Sequence, residues 1–243
     1  MRVTRVFLSR PLATGKTVNV TDEPAHYMRN VLRLKPGHSL VVFNSEGGEY
    51  QATITEFGVK KSLILSVGEY QSLNLESPLN TRLAIAITRS ERMDYAVQKA
   101  VELGVTSLVP LQTKYCVVKL NTRQAERKHE HWQRIAEHAC EQCGRTIVPR
   151  VELPMSLLDW LQQLSHGNRI LFHPGQSRKL EQVTIVDQQV NILIGPEGGF
   201  SESEVARAIS AEFQPISLGP RVLRAETAVL VALSALQQRW GDL

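Results

Sequence analysis

A continuous apolar run, LAIAIT at residues 83–88, constrains the fold of this chain most. A strand with one face in water alternates polar and apolar residues, whereas an unbroken run is typical of a strand buried on both faces of a parallel sheet. Downstream, apolar segments alternate with segments whose apolar residues recur at helical spacing. The predicted strands span 107–111, 170–172, 191–194 and 216–218, and the predicted helices span 123–142, 156–164, 202–211 and 225–239. This alternation predicts an α/β domain with a mainly parallel sheet over residues 81–243.

Residues 1–73 show a different pattern of short segments rich in β-branched or aromatic residues, at 18–20, 40–43, 50–55 and 62–67. Pro36-Gly37 and Gly47-Gly48 lie between some of these segments, as turns do in a small β-barrel. One helical turn is predicted at 22–31. The mostly polar segment NLESPLN at 74–80 breaks the pattern, and we predict that it links a barrel at 1–73 to the α/β domain.

Positive charge is concentrated in the N-terminal part of the chain. Residues 1–75 hold nine basic and six acidic residues, so +3 of the net charge of +4 lies in less than a third of the chain. A polyanionic partner fits this balance, and a soluble domain without such a partner explains it equally well. Three cysteines do not predict a disulfide framework, and no apolar run is long enough to span a bilayer. We therefore expect a soluble cytoplasmic protein.

Two predicted strands end in loops rich in glycine and proline, GPEGGF at 195–200 and LGPRVLRAET at 218–227, and a third, at 170–172, runs into His173-Pro174-Gly175. Ligands bind at the carboxyl ends of the strands in open α/β sheets. The first loop matches neither common phosphate-binding glycine motif, and its acid Glu197 suits a ribose hydroxyl or a cation better than a phosphate. A tight strand-to-helix turn without a ligand is the alternative.

The second loop places Arg221 and Arg224 ahead of an almost wholly apolar helix at 225–236. Such a helix is buried either in a core or against another subunit. Placing an arginine beside buried surface costs free energy unless its charge is paired or directed at a ligand. This loop therefore indicates a binding function.

These two loops, in this order, resemble those of the ribosomal RNA small subunit methyltransferase E family, a SPOUT-class family of RNA methyltransferases. Further similarity lies in RMDYAVQKAVELGV at 92–105, EQCGR at 141–145 and RVFL at 5–8. The resemblance implies S-adenosylmethionine-dependent methylation of N3 of a uridine in 16S rRNA, in the small ribosomal subunit. It also implies a homodimer without a metal, in which a PUA-like β-barrel precedes a trefoil-knotted catalytic domain.

Carried onto this sequence, the resemblance implies a cofactor pocket formed by the strand-end loops. The residues expected to bind S-adenosylmethionine are Leu171, Phe172, His173, Gly195, Glu197, Gly199, Leu218, Gly219, Leu223, Arg224 and Thr227. Arg224 is the first candidate for the cation that stabilises charge on the uracil, Arg221 is the second, and Glu226 is a candidate for orienting Arg224 or accepting a proton. The arginines expected to contact RNA are Arg2, Arg5, Arg10, Arg29, Arg33 and Arg145.

Two functions of other classes compete with this interpretation. A non-catalytic RNA-binding protein would use the barrel alone and would not need two intact strand-end loops. A nucleotide-dependent oxidoreductase would carry a glycine fingerprint after its first strand, where this chain has Arg89-Ser90-Glu91. A zinc site at Cys140, Cys143 and His138 is not expected, because a single cysteine pair near a helix end differs from the usual ligand sets of structural zinc.

Overall fold

The computed structural model describes residues 4–59, 62–164 and 166–243, and the chain divides into two compact units. The first unit comprises the described residues up to Glu76 together with Cys140–Val148. The second comprises Ser77–Ala139 and Pro149–Leu243. Residues 140–148, which the sequence analysis placed in the α/β domain, therefore belong with the N-terminal unit.

The first unit contains a five-stranded sheet. Its strands are β1 (Arg5–Phe7), β2 (Thr17–Val20), β3 (Ser39–Phe43), β4 (Glu49–Phe57) and β5 (Leu63–Gln71). They are ordered β1-β3-β4-β5-β2, with β1 parallel to β3 and the other pairings antiparallel. Helix α1 (Asp22–His26) continues into a π-helical turn at Tyr27–Val31. Leu40, Ile54 and Leu65 are among the buried side chains that form the core of this unit.

The second unit is built on a parallel sheet. Its strands are β6 (Asn80–Ala86), β7 (Ser107–Gln112), β8 (Arg150–Val151), β9 (Met155–Ser156), β10 (Asn168–Phe172), β11 (Gln189–Ile194) and β12 (Gln214–Ile216). The order is β12-β10-β11-β6-β7-β8, β9 also pairs with β7, and each of these pairings is parallel. Leu83, Ala84 and Ile85 in β6 are fully buried, as the unbroken apolar run predicts.

The helices of the second unit are α2 (Ser90–Glu102), α3 (Thr122–Cys143), whose last residues belong to the first unit, α4 (Leu157–Gln162), α5 (Glu202–Ser210) and α6 (Ala225–Trp240). A buried cluster that includes Trp160, Leu193 and Phe213 forms one core of this unit. In the described residues no helix is both long and apolar enough to cross a membrane. The predicted alternation of strands and helices is confirmed, whereas β1, β8 and β9 are too short to leave a periodic signal.

Candidate active site

A cavity of about 360 Å³ lies at the carboxyl ends of β10, β11 and β12 and beside the first turn of α6. Apolar side chains such as Phe172, Ile194, Phe200 and Leu223 line it, together with the backbone of several glycines. A cavity of this volume with a largely apolar lining is typical of small-molecule sites. The three strand ends therefore meet around one site, as the parallel sheet predicts.

The loop at 195–200 is held by the start of α5. The Ser201 hydroxyl accepts a hydrogen bond from the backbone N–H of Glu204, and the Glu204 carboxylate accepts one from the Ser201 N–H at 2.8 Å. Gly199 has a φ of +71° and nothing within 4 Å of the position that a Cβ would take. A Cβ at Gly195 would lie 3.0 Å from the Phe200 ring, so this glycine allows Phe200 to pack against the loop.

The loop that follows β12 turns within a few residues. The Ser217 hydroxyl donates to the Gly219 carbonyl at 2.9 Å and lies 3.2 Å from the Gly219 N–H, which donates to it. Gly219 has a φ of +114°, a conformation that residues with a side chain rarely adopt, and nothing lies within 4 Å of its Cβ position. Gly219 therefore presents bare backbone to the cavity that it lines.

Arg92, near the start of α2, joins the glycine loop to α6. Its guanidinium lies 2.8 Å from Glu197 Oε1 and 3.7 Å from Glu226 Oε1. The other oxygen of Glu226, Oε2, is buried and has no hydrogen-bond partner among the described residues. The sequence predicts no role for Arg92, which lies in the segment 92–105 that resembles the family. The two acids that it contacts are far away along the chain.

Most of the predicted cofactor residues line the cavity, namely Phe172, His173, Gly195, Glu197, Gly199, Leu218, Gly219 and Leu223. Leu171 does not, because its side chain is fully buried in the core cluster. Arg224 and Thr227 are exposed at the start of α6 and are not part of the lining. The structure thus brings the predicted loops together but separates these three side chains from the cavity.

The two arginines ahead of α6 occupy different places. Arg221 lines the cavity, whereas Arg224 is the N-cap residue of α6. Within the described part of the chain, neither guanidinium has an ion pair or a hydrogen bond to another group. Glu226 contacts Arg92 rather than Arg224, so the predicted orientation of Arg224 by Glu226 is not seen.

Comparison with known proteins places this arrangement in a family. Residues 75–237 match an RNA methyltransferase domain, and residues 20–67 match an RNA methyltransferase PUA domain. Ribosomal RNA small subunit methyltransferase E of Buchnera aphidicola subsp. Schizaphis graminum is 34% identical, and the match covers 100% of this chain and 98% of that protein. The chain belongs to the ribosomal RNA small subunit methyltransferase E family. The protein of the same name from Bacillus subtilis is 31% identical, with 90% of this chain and 89% of that protein covered.

Solved structures agree with this membership. A ribosomal RNA small subunit methyltransferase E from Neisseria gonorrhoeae bound to S-adenosyl methionine matches with a TM-score of 0.90 and 33% identity, over 100% of both chains. A Legionella pneumophila protein in complex with bound cofactor SAM matches with a TM-score of 0.96 and 36% identity, also over 100% of both chains. The predicted family, the PUA-like N-terminal part and the α/β fold are confirmed.

Two of the arginines that the family resemblance assigns to RNA take part in partly buried ion pairs. Arg5 donates to the Glu49 carboxylate through Nε at 3.0 Å and Nη2 at 2.8 Å, and it also donates to the Cys140 carbonyl at 2.8 Å. Arg145 is 5% exposed, and its Nε donates to Glu76 Oε2 at 2.9 Å. These contacts join residues 140–148 to the rest of the first unit. Contact of either guanidinium with RNA stays a prediction and would compete with these pairs.

The remaining arginines of this set lie nearer the surface. Arg33 is exposed, and Arg29 is half-buried with its guanidinium 4.4 Å from the Phe57 ring centroid. Arg10 donates to the Asn19 carbonyl at 2.6 Å. Arg2 lies outside the described residues. Arg10, Arg29 and Arg33 thus remain candidates for contact with RNA.

Removal of the Glu76 carboxylate by Glu76→Ala is expected to lower the free energy of unfolding by about 2 kcal/mol, because it leaves the buried Arg145 guanidinium short of its main acceptor. Denaturant unfolding measures this loss. The matched control is Arg33→Ala, which removes an exposed arginine from the same unit and should leave stability unchanged while making RNA binding less dependent on salt. Equal stability of Glu76→Ala and the parent protein would show that the ion pair is not structural.

The cysteine pair does not form part of the site. A hydrogen bond with the Cys143 thiol, together with burial, raises the pKa of the Cys140 thiol above its usual range. Among the residues that the structure describes, no three His, Cys, Asp or Glu side chains are grouped to hold a metal ion.

Proposed function

We propose that this protein transfers a methyl group from S-adenosylmethionine to N3 of a uridine in 16S rRNA, producing 3-methyluridine in the small ribosomal subunit. The observation that carries the proposal is the cavity at the ends of β10, β11 and β12, in a chain that belongs to this family. Its apolar walls fit an adenine ring, and the open backbone at Gly199 and Gly219 fits close approach of a ligand. An enzyme that acts on ribosomal RNA works where ribosomes are assembled, so we also propose a cytoplasmic location.

S-adenosylmethionine, when bound, supplies a methyl group that its sulfonium makes electrophilic. The residues of the chain have to hold uridine N3 in line with that methyl group and stabilise the negative charge that forms on the uracil as its N3 proton leaves. Arg221 and Arg224 bring positive charge to this end of the sheet, where a preorganised cation stabilises developing negative charge most effectively. Glu226, held beside Arg92, is our candidate acceptor for the N3 proton; its Oε2 is buried in this structure, so the side chain would have to turn toward the substrate to accept it.

The first unit supplies the RNA contacts in this proposal. Residues 1–75, which make up most of this unit, carry a balance of +3, and Arg10, Arg29 and Arg33 place positive charge near its surface. Contacts with phosphates fix the position of an RNA without reading its sequence. The choice of nucleotide therefore belongs to the second unit, where the cavity lies.

The direct test is methyl transfer from tritiated S-adenosylmethionine to unmodified 16S rRNA, offered both as a transcript and within small subunits. Nucleoside digestion followed by mass spectrometry should show 3-methyluridine. RNA binding without incorporation of label on either substrate would favour a non-catalytic RNA-binding protein. Label in another methylated nucleoside would retain the enzyme and overturn the assigned atom.

We also propose that two copies of the chain associate through α6. One face of this helix, with Val229, Leu233 and Leu236, is buried in the chain itself. The opposite face carries Leu230 and Val231 beside a shallow groove of about 500 Å³, and Val231 is 39% exposed. A helix that is apolar on both faces thus has one face left for a partner.

Leu230→Glu is expected to shift the protein from dimer to monomer, because it places a charge in the proposed contact. Sedimentation velocity at several concentrations measures the change. Ile209→Glu is the matched control, since Ile209 is 50% exposed on α5, away from this face. A monomeric parent protein, or a dimer unaffected by Leu230→Glu, would contradict the proposal. Leu233 is unsuitable for this test, because it is fully buried and its substitution would damage the core.

A further inference from the structure

An exposed tyrosine lies beside the glycine loop of the cavity. Tyr115 is 45% exposed in the turn that follows β7. A Cβ on Gly198, which lines the cavity, would lie only 3.1 Å from the Tyr115 Cβ. Lys114 precedes it in the chain, with its Nζ 5.3 Å from the Tyr115 ring centroid. An aromatic ring and a cation are thus presented to solvent at the margin of the site.

This turn is fixed by buried contacts. Cys116 is buried, its N–H donates to the Thr113 carbonyl at 3.3 Å, and its Sγ lies 3.2 Å from the buried Thr113 hydroxyl. The Lys114 N–H donates to Glu204 Oε1 at 2.8 Å, and Glu204 is the residue that also caps α5. Glu204 therefore fixes the position of the turn that carries Tyr115 relative to the glycine loop. The Tyr115 ring is thus exposed although the turn that carries it is anchored by buried contacts.

We propose that Tyr115 is a stacking platform for an unpaired base of the RNA substrate, and that Lys114 neutralises a neighbouring phosphate. Proteins recognise unstacked RNA bases mainly by stacking them on aromatic side chains, and lysines contact the backbone alongside. A base whose N3 accepts a methyl group must leave its pairing and stacking, so a platform beside the cavity is where an extruded or flanking base needs support. This inference rests on the proposed function, because it requires an RNA substrate.

The experiment compares binding of unmodified 16S rRNA transcript by the full-length protein and its variants, with calorimetry of S-adenosylmethionine on each. Tyr115→Ala should weaken RNA binding by about 5- to 150-fold, the range for loss of one stacked base. Tyr115→Phe should bind as the parent protein does, and cofactor affinity should stay unchanged in both. Tyr115→Gln, which keeps a longer polar side chain than alanine but has no aromatic ring, should behave like Tyr115→Ala.

Tyr95 provides the matched control. It is also 45% exposed, and it has a lysine, Lys99, with Nζ 5.8 Å from its ring centroid, but it lies on α2 rather than in the turn that packs against Gly198. Tyr95→Ala should leave RNA binding unchanged. Equal effects of Tyr95→Ala and Tyr115→Ala, or loss of cofactor binding with Tyr115→Ala and Tyr115→Gln, would overturn the inference. A parent protein that neither binds nor methylates RNA would instead refute the proposed function.

Discussion

Gly219→Val is expected to weaken S-adenosylmethionine binding by at least about 100-fold, or about 2.8 kcal/mol. Gly219 lines the cavity, and nothing lies within 4 Å of its Cβ position, so a valine side chain would enter space left for the ligand. The φ of +114° adds backbone strain, because a β-branched residue strongly disfavours positive φ. Isothermal titration calorimetry measures the loss.

The control for strain is Gly37→Val in the first unit. Gly37 has a φ of +88° and equally open surroundings, but it does not line the cavity. Both variants should lose thermal stability, and only Gly219→Val should lose cofactor binding. Similar cofactor affinity in the two variants would show that the open space at Gly219 is not used by the ligand. Gly219→Ala, with less strain, repeats the test should the valine variant unfold.

The central strands of the second unit were predictable because burial on both faces leaves a strong signal in the sequence. Residues 83–86 of the run at 83–88 lie in β6, which begins at Asn80 and ends at Ala86. The strand residues before this run pair through their backbone with β11, where Gln189 lies opposite Asn80 and Val190 opposite Thr81. Backbone pairing of polar residues leaves no pattern in composition, so the start of the strand was missed.

The candidate site was predictable where it depends on local backbone conformation and missed where it depends on distant partners. The glycines of the two loops are apparent from the sequence alone. The ion pair between Arg92 and Glu197 joins residues 105 positions apart, and the pair between Arg145 and Glu76 joins residues 69 positions apart. No periodicity reports such pairings, so neither ion pair was predicted. The trefoil knot follows from family resemblance alone and stays a prediction.

Arg221→Ala is expected to lower kcat by about 100-fold, the lower end of the cost of removing a group that stabilises developing charge in the transition state, and Arg224→Ala is expected to lower it by less. The two guanidiniums have no ion pair within the described residues, so their charge is available to a substrate. Arg221 lines the cavity and Arg224 caps α6, so the effect of Arg221→Ala should be the larger of the two. Single-turnover methyl transfer to 16S rRNA at saturating cofactor measures the chemical step.

Measuring kcat and cofactor affinity separately decides whether these arginines act on the uracil or bind S-adenosylmethionine. If they act on the uracil, calorimetry should show little change in S-adenosylmethionine affinity while kcat falls, because the lost interaction forms only as charge develops. A parallel loss of cofactor affinity would assign the cation to the carboxylate of S-adenosylmethionine instead. Arg207→Ala, which removes an exposed arginine from α5, is the control and should change neither quantity. Retention of full turnover by the Arg221 and Arg224 variants would place the charge-stabilising group elsewhere, and Arg92 would then be the next cation to test, since it already lies against Glu197 at the cavity wall.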